Sequence, residues 1–502
     1  MANCYIQLAV NSIIGKLSVE AELRRFKNRG IQRRVRIMAT ERQKECTQKF
    51  RGKKAAVLGI GISNAPVIEF LVEVGAKVVA CDMKEEEQLG AAYRDIATLP
   101  IEFRLGRGYL EGLDGFDMIF PTPGMPLDLP ELVEARAKGV WQSNEIGLFL
   151  DLCEARVIGI TGSDGKTTTT TLVGEVLRAG GEGVFVGGNI GNPLLSEVFN
   201  IPADSVVVLE LSSFQLQPLR KSPHVGVILN LSPNHLDHHR SMEEYAEAKE
   251  GIFRYQASGD YAVLNLDNPW TRSMGSRCPG GRVLFSRHEE VPGGVYVKGR
   301  EIIVDIDGRN EAALRIDDIR LPGEHNVENI LAVSAVTALA GCDFSCLRSV
   351  INEFAGVEHR IQFVAERRGV KFYDDSSATT PSRSIAGIQS FSAPVVLIAG
   401  GSSKKLSFES LGEVIVKRVK SAVLVGHTAC EIQSSIEKAE MKLGRKTKTV
   451  MAGDFDEAVH AAFSEASPGD VVLLSPACAS FDFFSNYKAR GERFKELVKG
   501  IR

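Results

Sequence analysis

The sequence predicts an α/β protein of three domains, each built on a parallel sheet. Three observations predict it. From Lys53 onward, short apolar runs rich in β-branched residues alternate with stretches of helical periodicity, the pattern of βαβ units with buried parallel strands. Each run ends in glycine or polar residues, as strands do when they feed a ligand site at their carboxyl ends. The chain of 502 residues also exceeds the roughly 250–300 at which one hydrophobic core stops growing, so two or three domains are expected. Joints near residues 150 and 355 divide it into a basic extension (1–52), an amino-terminal domain (53–150), a central domain (151–355) and a carboxyl-terminal domain (356–502).

In the extension, residues 16–54 carry 14 Lys/Arg against 4 Glu. An Arg-rich, acid-poor leader suits an organellar transit peptide or a nucleic-acid arm. However, "MATERQKECTQKFRGKK", from Met38, runs straight into the first strand, so residues 1–37 are expected to be a mis-assigned start or a disordered extension. The opening "MANCYIQLAVNSIIG" has neither a basic leader nor a clean apolar core, and no secretory signal is expected.

The amino-terminal domain opens with "KAAVLGI", "APVIEFLVEVG" and "KVVACD", a βαβ unit. Its turn contains Gly59, Gly61 and Asn64, and Asp82 ends the second strand roughly 20 residues on, where a dinucleotide-binding fold places its ribose acid. Asn64 stands where the third fingerprint glycine belongs. The domain therefore reads as Rossmann-like, with a ligand-free βαβ unit or another nucleotide at least as well supported as NAD. "FPTPGMP" follows the strand "FDMIF", in the position of a ligand loop.

The central domain begins "ARVIGITGSDGKTTTTTLVGEVLRAGG": strand, glycine loop, amphipathic helix. The amides of Gly162, Ser163, Asp164 and Gly165 and the helix N-terminus would point donors at an anion. Lys166 would reach the terminal phosphates, and Thr167 or Thr168 would face Mg²⁺. Ile160 stands where the general phosphate-loop pattern has glycine. A lysine at a helix N-terminus opposes the dipole, and a bound anion explains it; the later threonines pack or cap. The domain thus reads as P-loop-ATPase-like. Glu210 interrupts the apolar run "SVVVLELSSFQL", and a carboxylate there must be paired or metal-bound. His235, Asp237, His238 and His239 invite a zinc reading. No cysteine is near and Arg240 adjoins, so one functional histidine with solvated neighbours is expected instead. In "LPGEHNVENILAVSAVTALAG", Asn326 and Asn329 either share a face toward a ligand or cap the helix.

The last domain carries the strands "GVKFYDD", "APVVLIAGG", "SAVLVGH" and "DVVLLSPA", a second Rossmann-like pattern. Composition sets bounds on partners. With 60 basic against 63 acidic residues and 44% hydrophobic content, there is no global field for nucleic acid or a membrane surface. Nine scattered cysteines fit reduced thiols, because the one close pair, Cys342 and Cys346, lacks the second pair a zinc site needs. No stretch approaches the roughly 20 apolar residues that span a bilayer. A cytoplasmic protein is expected, with no membrane insertion and no nucleic-acid partner.

Nine motifs then occur in order: "TGSDGKTT", "LELSSFQL", "ILNLSPNHLDHH", "YAEAKEGIF", "GEHNVENILA", "EHRIQFV", "DDSSATTP", "IAGGSSKK" and "LLSPACASFDFFSNYKARGERFKELV". Together they resemble the Mur ligases from about Lys53 to Arg502, and the last string is most similar to the branch that adds D-glutamate. That resemblance implies an ATP-dependent, ADP-forming amide ligase of peptidoglycan precursor synthesis, acting as a monomer on UDP-N-acetylmuramoyl-L-alanine and D-glutamate. It implies two Mg²⁺ ions: Lys166 and Thr167 with phosphate and the first ion, Glu210 completing that ion's shell, and His235 serving the second. Lys249 matches a lysine that the family converts with CO₂ into a carbamate, a further metal ligand. Asn189 and Ser212 match positions near the muramoyl substrate. Asn329, Arg360 and Asp375 match those holding adenine, phosphate and ribose. Lys404 (or the adjacent Lys405), Ser480, Tyr487 and Thr379 match the D-glutamate pocket, where a cation and hydroxyls suit two carboxylates.

The chain departs from the family pattern at Ser377, where lysine is usual, at Thr122, where serine is usual, and around Met83 and Lys84. Asp82 and Lys84 are the residues expected at the uracil contacts. His238 and His239 exceed the pattern and are given no role. The alternatives are another amino-acid-adding Mur ligase, a folylpolyglutamate synthetase or, outside that class, an NAD-dependent dehydrogenase.

Overall fold

Strands buried on both faces account for the apolar runs. Ala55 to Leu58 and Val395 to Ala399 have virtually no exposed surface, which is why these strands read as continuous rather than alternating hydrophobic sequence. The structure is a computed structural model that describes residues 41–501 except 42, 62, 190–193, 234–237, 322, 355, 404 and 405. The expectations for residues 1–37, His235, Asp237, Lys404 and Lys405 fall outside the described residues. The chain divides into two compact units. One runs to Lys166 and resumes over Leu177–Phe285; the other comprises Thr167–Val176 and the chain from Ser286 onward. The predicted three-domain α/β architecture is observed as three sheets.

In the first unit, β1 (Lys54–Leu58), β2 (Lys77–Asp82), β3 (Glu102–Leu105), β4 (Met118–Pro121) and β5 (Trp141–Gln142) pair in parallel, in the order β3-β2-β1-β4-β5. The order reverses between β1 and β4, the crevice where such sheets bind ligands. Pro66 starts the helix Ala65–Glu73, whose Val67, Ile68, Phe70 and Leu71 are buried. Asn64, in place of the third glycine, is buried, and its Nδ2 donates to Leu58 O (2.9 Å) and Gly59 O (3.1 Å). Asp82 accepts from Ile60 N (2.7 Å) and Lys84 N (2.9 Å), so its carboxylate braces the turn. Asn64→Ala is expected to destabilise the protein by about 1–3 kcal/mol in urea unfolding, because the carbonyls lose a buried donor. A change within about 0.5 kcal/mol would contradict this.

The second sheet contains β6 (Arg156–Thr161), β7 (Val184–Gly188), β8 (Val206–Glu210), β9 (Val225–Ile228), β10 (Tyr261–Asn265) and β11 (Gly281–Ser286), running parallel in the order β11-β10-β9-β6-β8-β7. β6 lies between β9 and β8, so the glycine loop after β6 is flanked by the ends of both neighbours.

In the second unit, β12 (Val295–Lys298), β13 (Glu301–Ile306) and β14 (Arg309–Arg315) form an antiparallel meander absent from the sequence-based expectation. Its signal is Asp307-Gly308, which closes the β13–β14 hairpin with both φ angles positive, at 51° and 79°. The third sheet has β15 (Gln362–Arg367), β16 (Val370–Asp374), β17 (Val395–Ala399), β18 (Val419–Leu424), β19 (Lys448–Met451) and β20 (Val471–Leu474), ordered β15-β16-β20-β17-β18-β19. It is parallel except for β15, which joins β16 as an antiparallel edge. Among the described residues, no helix is long and apolar enough to cross a membrane.

Candidate active site

The glycine loop is fixed by hydrogen bonds before any ligand is considered. Ser163 N donates to Asn230 O and Asp164 N to Asn230 Oδ1, both at 2.9 Å, which ties the loop to the segment after β9. Ser163 Oγ meets Ser232 O and Tyr245 Oη, each at 3.1 Å. Lys166, the first residue of the helix Lys166–Ala179, curls over the loop, and its Nζ donates to Gly162 O (2.8 Å) and Ser163 O (2.7 Å). An ammonium is thus held above a set of backbone amides at a helix start, the arrangement that binds phosphate.

Two buried ionisable groups lie in the same unit. Glu210, which ends β8, is 2% exposed. Its Oε1 accepts from Asn189 Nδ2 at 2.9 Å, while Oε2 has no hydrogen-bond partner among the described residues. Gly188 permits this approach: a Cβ there would lie 2.3 Å from Glu210 O, the same oxygen that accepts from Asn189 N at 2.8 Å. Lys249 is 1% exposed on the helix Met242–Glu250. Its Nζ donates to Thr161 Oγ1 (3.0 Å) and Gly162 O (3.1 Å) and sits 4.9 Å from the centre of the Tyr245 ring. Burial first, and then the Lys166 charge, hold its pKa well below the ordinary lysine value. An orphaned carboxylate oxygen in a dry setting beside a phosphate loop fits a hard divalent cation with oxygen ligands, as Mg²⁺ requires.

In the second unit, Asn329 and Asn326 are buried in the helix Glu324–Leu339, and Asn329 Nδ2 donates to Asn326 Oδ1 at 3.1 Å. They share a face; the N-cap is Gly323, so neither asparagine caps the helix. Arg360 Nη1 donates to Thr167 Oγ1. Asp375 is buried, accepts from Ser475 Oγ (2.7 Å) and Ile361 N (3.3 Å), and has its pKa pushed up to about 7 by burial. Thr168 and Thr171 are half-buried, whereas Thr169 and Thr170 are fully buried, so the middle of the threonine run packs. Of the residues expected to take D-glutamate, Ser480 is buried in the loop after β20, and Tyr487, 37% exposed, starts the helix Tyr487–Gly500. Thr379 follows Asp375 by four residues, in the loop after β16.

One expectation changes. His239, expected to be a solvated neighbour, is buried. It stacks on Phe214 with ring centroids 5.2 Å apart, and its Nε2 lies 3.0 Å from Ser213 Oγ; an imidazole face offers apolar contact that the charge pattern alone does not reveal. Ser212, expected near the muramoyl substrate, is the N-cap of the short helix Ser213–Leu216, where its hydroxyl accepts from Gln215 N. Sequence reasoning missed Tyr245, which stands one helical turn before Lys249; that i, i+4 spacing on one helix face is the signal that points to it.

Family models match three segments: "Mur ligase MurD-like, N-terminal domain" over residues 53–142, "Mur ligase middle domain" over 160–337, and "Mur ligase, glutamate ligase domain" over 359–478. A UDP-N-acetylmuramoylalanine–D-glutamate ligase of Symbiobacterium thermophilum is 49% identical over 452 residues, covering 89% of this chain and 98% of that one. A protein of the same name from Acetivibrio thermocellus is 46% identical over 458 residues, covering 90% and 98%. Among solved structures, the UDP-N-acetylmuramate–alanine ligase MurC of Thermotoga maritima has a TM-score of 0.52 at 22% identity, covering 90% of this chain and 100% of that one. MurF of Acinetobacter baumannii has a TM-score of 0.53 at 16% identity, covering 92% and 98%. At such identities these structures show the fold alone.

Proposed function

The chain belongs to the Mur ligase family, and on that premise we propose that it joins D-glutamate to UDP-N-acetylmuramoyl-L-alanine in an ATP-driven, ADP-forming reaction of peptidoglycan precursor synthesis. The observation that carries this reading is the 49% identity, over nearly the full length of the relative, to a protein named for that reaction. The domains are assigned as residues 53–150 for the UDP substrate, 151–355 for ATP and 356–502 for D-glutamate.

The chemistry follows from the need to activate a carboxylate, which is a poor electrophile. The alanine carboxylate oxygen attacks the γ-phosphorus, the bond to ADP breaks, and an acyl phosphate results. The neutral amine of D-glutamate then attacks the acyl carbon, and phosphate leaves with the C–O bond pair and takes up the proton that the amine loses. Lys166 and the amides of Gly162 to Gly165 hold the phosphates and offset the charge spreading over the phosphoryl oxygens. Asn329 and Asp375 hold adenine and ribose, and Arg360 a phosphate. Asn189 and Ser212 face the muramoyl substrate, whereas Lys404, Ser480, Tyr487 and Thr379 take D-glutamate. Thr167, Glu210, His235 and Lys249 are the residues proposed to hold two Mg²⁺ ions, which when bound neutralise the developing phosphoryl charge. Lys249, whose pKa burial lowers, is a nucleophile for CO₂ in its unprotonated form: the N–C bond forms, a proton leaves, and the amine becomes an acidic carbamate.

Phosphate release measured with ATP and UDP-N-acetylmuramoyl-L-alanine should require D-glutamate. Release with L-lysine, L-alanine or a glutamyl folate instead would overturn the assignment, as would NAD reduction without ATP. The enzyme is read as a cytoplasmic monomer, which size-exclusion chromatography checks for its oligomeric part. Glu210→Gln is expected to lower kcat by about 10²–10³, roughly 3–4 kcal/mol, and to raise the Mg²⁺ concentration for half-activity. An unchanged Mg²⁺ titration would contradict the metal role.

A further inference from the structure

The helix Tyr487–Gly500 reads as charged and solvated, yet its Arg490 is 3% exposed. The guanidinium fork has four acceptors, none of them a carboxylate. Nε donates to Ser376 Oγ (2.9 Å), Nη2 to Ser376 O (3.0 Å) and Cys478 O (3.1 Å), and Nη1 to Ala479 O (3.2 Å). Ser376 Oγ in turn donates to Tyr487 O at 2.8 Å, and Ala479 O also accepts from Ser402 N at 2.9 Å. One side chain therefore ties together the loops that follow β16 and β20, with the loop after β17 attached through Ala479. These loops carry Thr379, three residues after Ser376, and Ser480, immediately after Ala479; Tyr487 begins the helix that supplies Arg490.

We propose that Arg490 is a positioning residue for the incoming amino acid, its planar fork setting the spacing between the loop of Thr379 and the loop of Ser480. The proposal rests on the D-glutamate reading of these loops. Burying a cation against three carbonyls and a hydroxyl, with only the more distant charges of Asp482 and Asp374 to offset it, costs stability that a well-packed apolar residue would not, so fold stability is a poor reason for it to be there. What the fork provides is geometry, since its donors lie in one plane and reach two loops at once. Burial lowers its pKa only to about 10, so at neutral pH it is a full positive charge, and a dicarboxylate amino acid is the ligand such a charge favours. Lysine in its place keeps the charge and loses the span.

The test compares Arg490→Lys and Ser376→Ala with the unaltered full chain, measuring KM for D-glutamate, ATP and UDP-N-acetylmuramoyl-L-alanine separately, together with thermal unfolding. Arg490→Lys is expected to raise KM for D-glutamate at least about tenfold, with the other two KM values within about twofold. Ser376→Ala, which removes one of four acceptors, should shift the same constant in the same direction by about threefold. Unchanged KM for D-glutamate in both variants overturns the proposal, and so does a parallel rise of all three constants with a lowered melting temperature, the mark of a merely structural role. If Arg490→Lys does not fold, Ser376→Ala alone decides. If the unaltered enzyme consumes a different amino acid, the D-glutamate reading fails by itself, and the KM for that amino acid becomes the quantity that tests Arg490.

Discussion

Lys166→Ala is expected to reduce ATP-driven turnover at least about 10³-fold, some 4 kcal/mol of transition-state stabilisation, while leaving the fold intact. Both halves come from the same geometry. The Lys166 ammonium donates to Gly162 O and Ser163 O, so both of these bonds lie within its own loop. Gly162 O keeps the Lys249 amino group as a donor, and the loop keeps its anchors from Ser163 N and Asp164 N to Asn230. A cation at the first position of the helix Lys166–Ala179 is disfavoured by the helix dipole in the absence of an anion, so its removal carries little cost for folding. The transition state of phosphoryl transfer spreads negative charge over oxygens that backbone amides alone cannot neutralise. Phosphate release and a thermal melt on the same preparation check both statements. Turnover above a few per cent of the unaltered enzyme, or loss of the folded state, contradicts the assignment. Lys166→Arg restores charge with a planar fork and is expected to recover only part of the rate.

The parts of this site that the sequence reveals are those whose chemistry conflicts with their local pattern. A lysine at a helix start and a glutamate in an apolar strand each violate a local rule, and each stands where the geometry supports a ligand: Lys166 over the glycine loop, Glu210 with an Oε2 that has no hydrogen-bond partner among the described residues. Lys249 violates nothing visible. In "MEEYAEAKE" it reads as one more solvated helix lysine, and only packing of the helix Met242–Glu250 against the glycine loop buries it. The same holds for Arg490 in "YKARGERF", whose burial depends on two loops far away in sequence. The β12–β14 meander escaped a reading tuned to parallel βαβ units, although Asp307-Gly308 marks its second turn. His239 shows the reverse error: polar by type, it spends its ring surface on Phe214 and Tyr245. Local conflict points to function, and where burial is set by distant parts of the chain the sequence pattern offers no conflict to read.

Lys249→Met is expected to yield a protein that is more stable than the unaltered chain at neutral pH and inactive. The thioether matches the lysine stem in length and needs no solvation. The two acceptors it abandons keep other partners: Thr161 Oγ1 donates to Leu211 O at 2.7 Å, and Gly162 O accepts from Lys166 at 2.8 Å. The gain at neutral pH is about 1–3 kcal/mol, the usual cost of burying a polar group without full compensation. Its pH dependence has a fixed sign. In the unfolded chain Lys249 titrates near the ordinary lysine value of about 10.4, whereas burial depresses its pKa in the fold. Between the two values the unfolded state binds a proton that the native state lacks, so the stability of the unaltered protein rises with pH across that window and levels off above about 10.4. Below the native value the penalty is constant. Lys249→Met removes the penalty altogether, so its advantage is largest at the low end and shrinks toward pH 10. Urea unfolding of both proteins at pH 7 and pH 10, in buffers freed of CO₂, measures it; equal or lower stability of the variant at pH 7 contradicts the account. Activity supplies the other half, because the site has kept a residue that costs it stability. Loss of turnover in Lys249→Met, with recovery by short carboxylates in Lys249→Ala, is the outcome expected of a carbamate whose acidic oxygens do the work, and full activity in either variant without added carboxylate would remove that role.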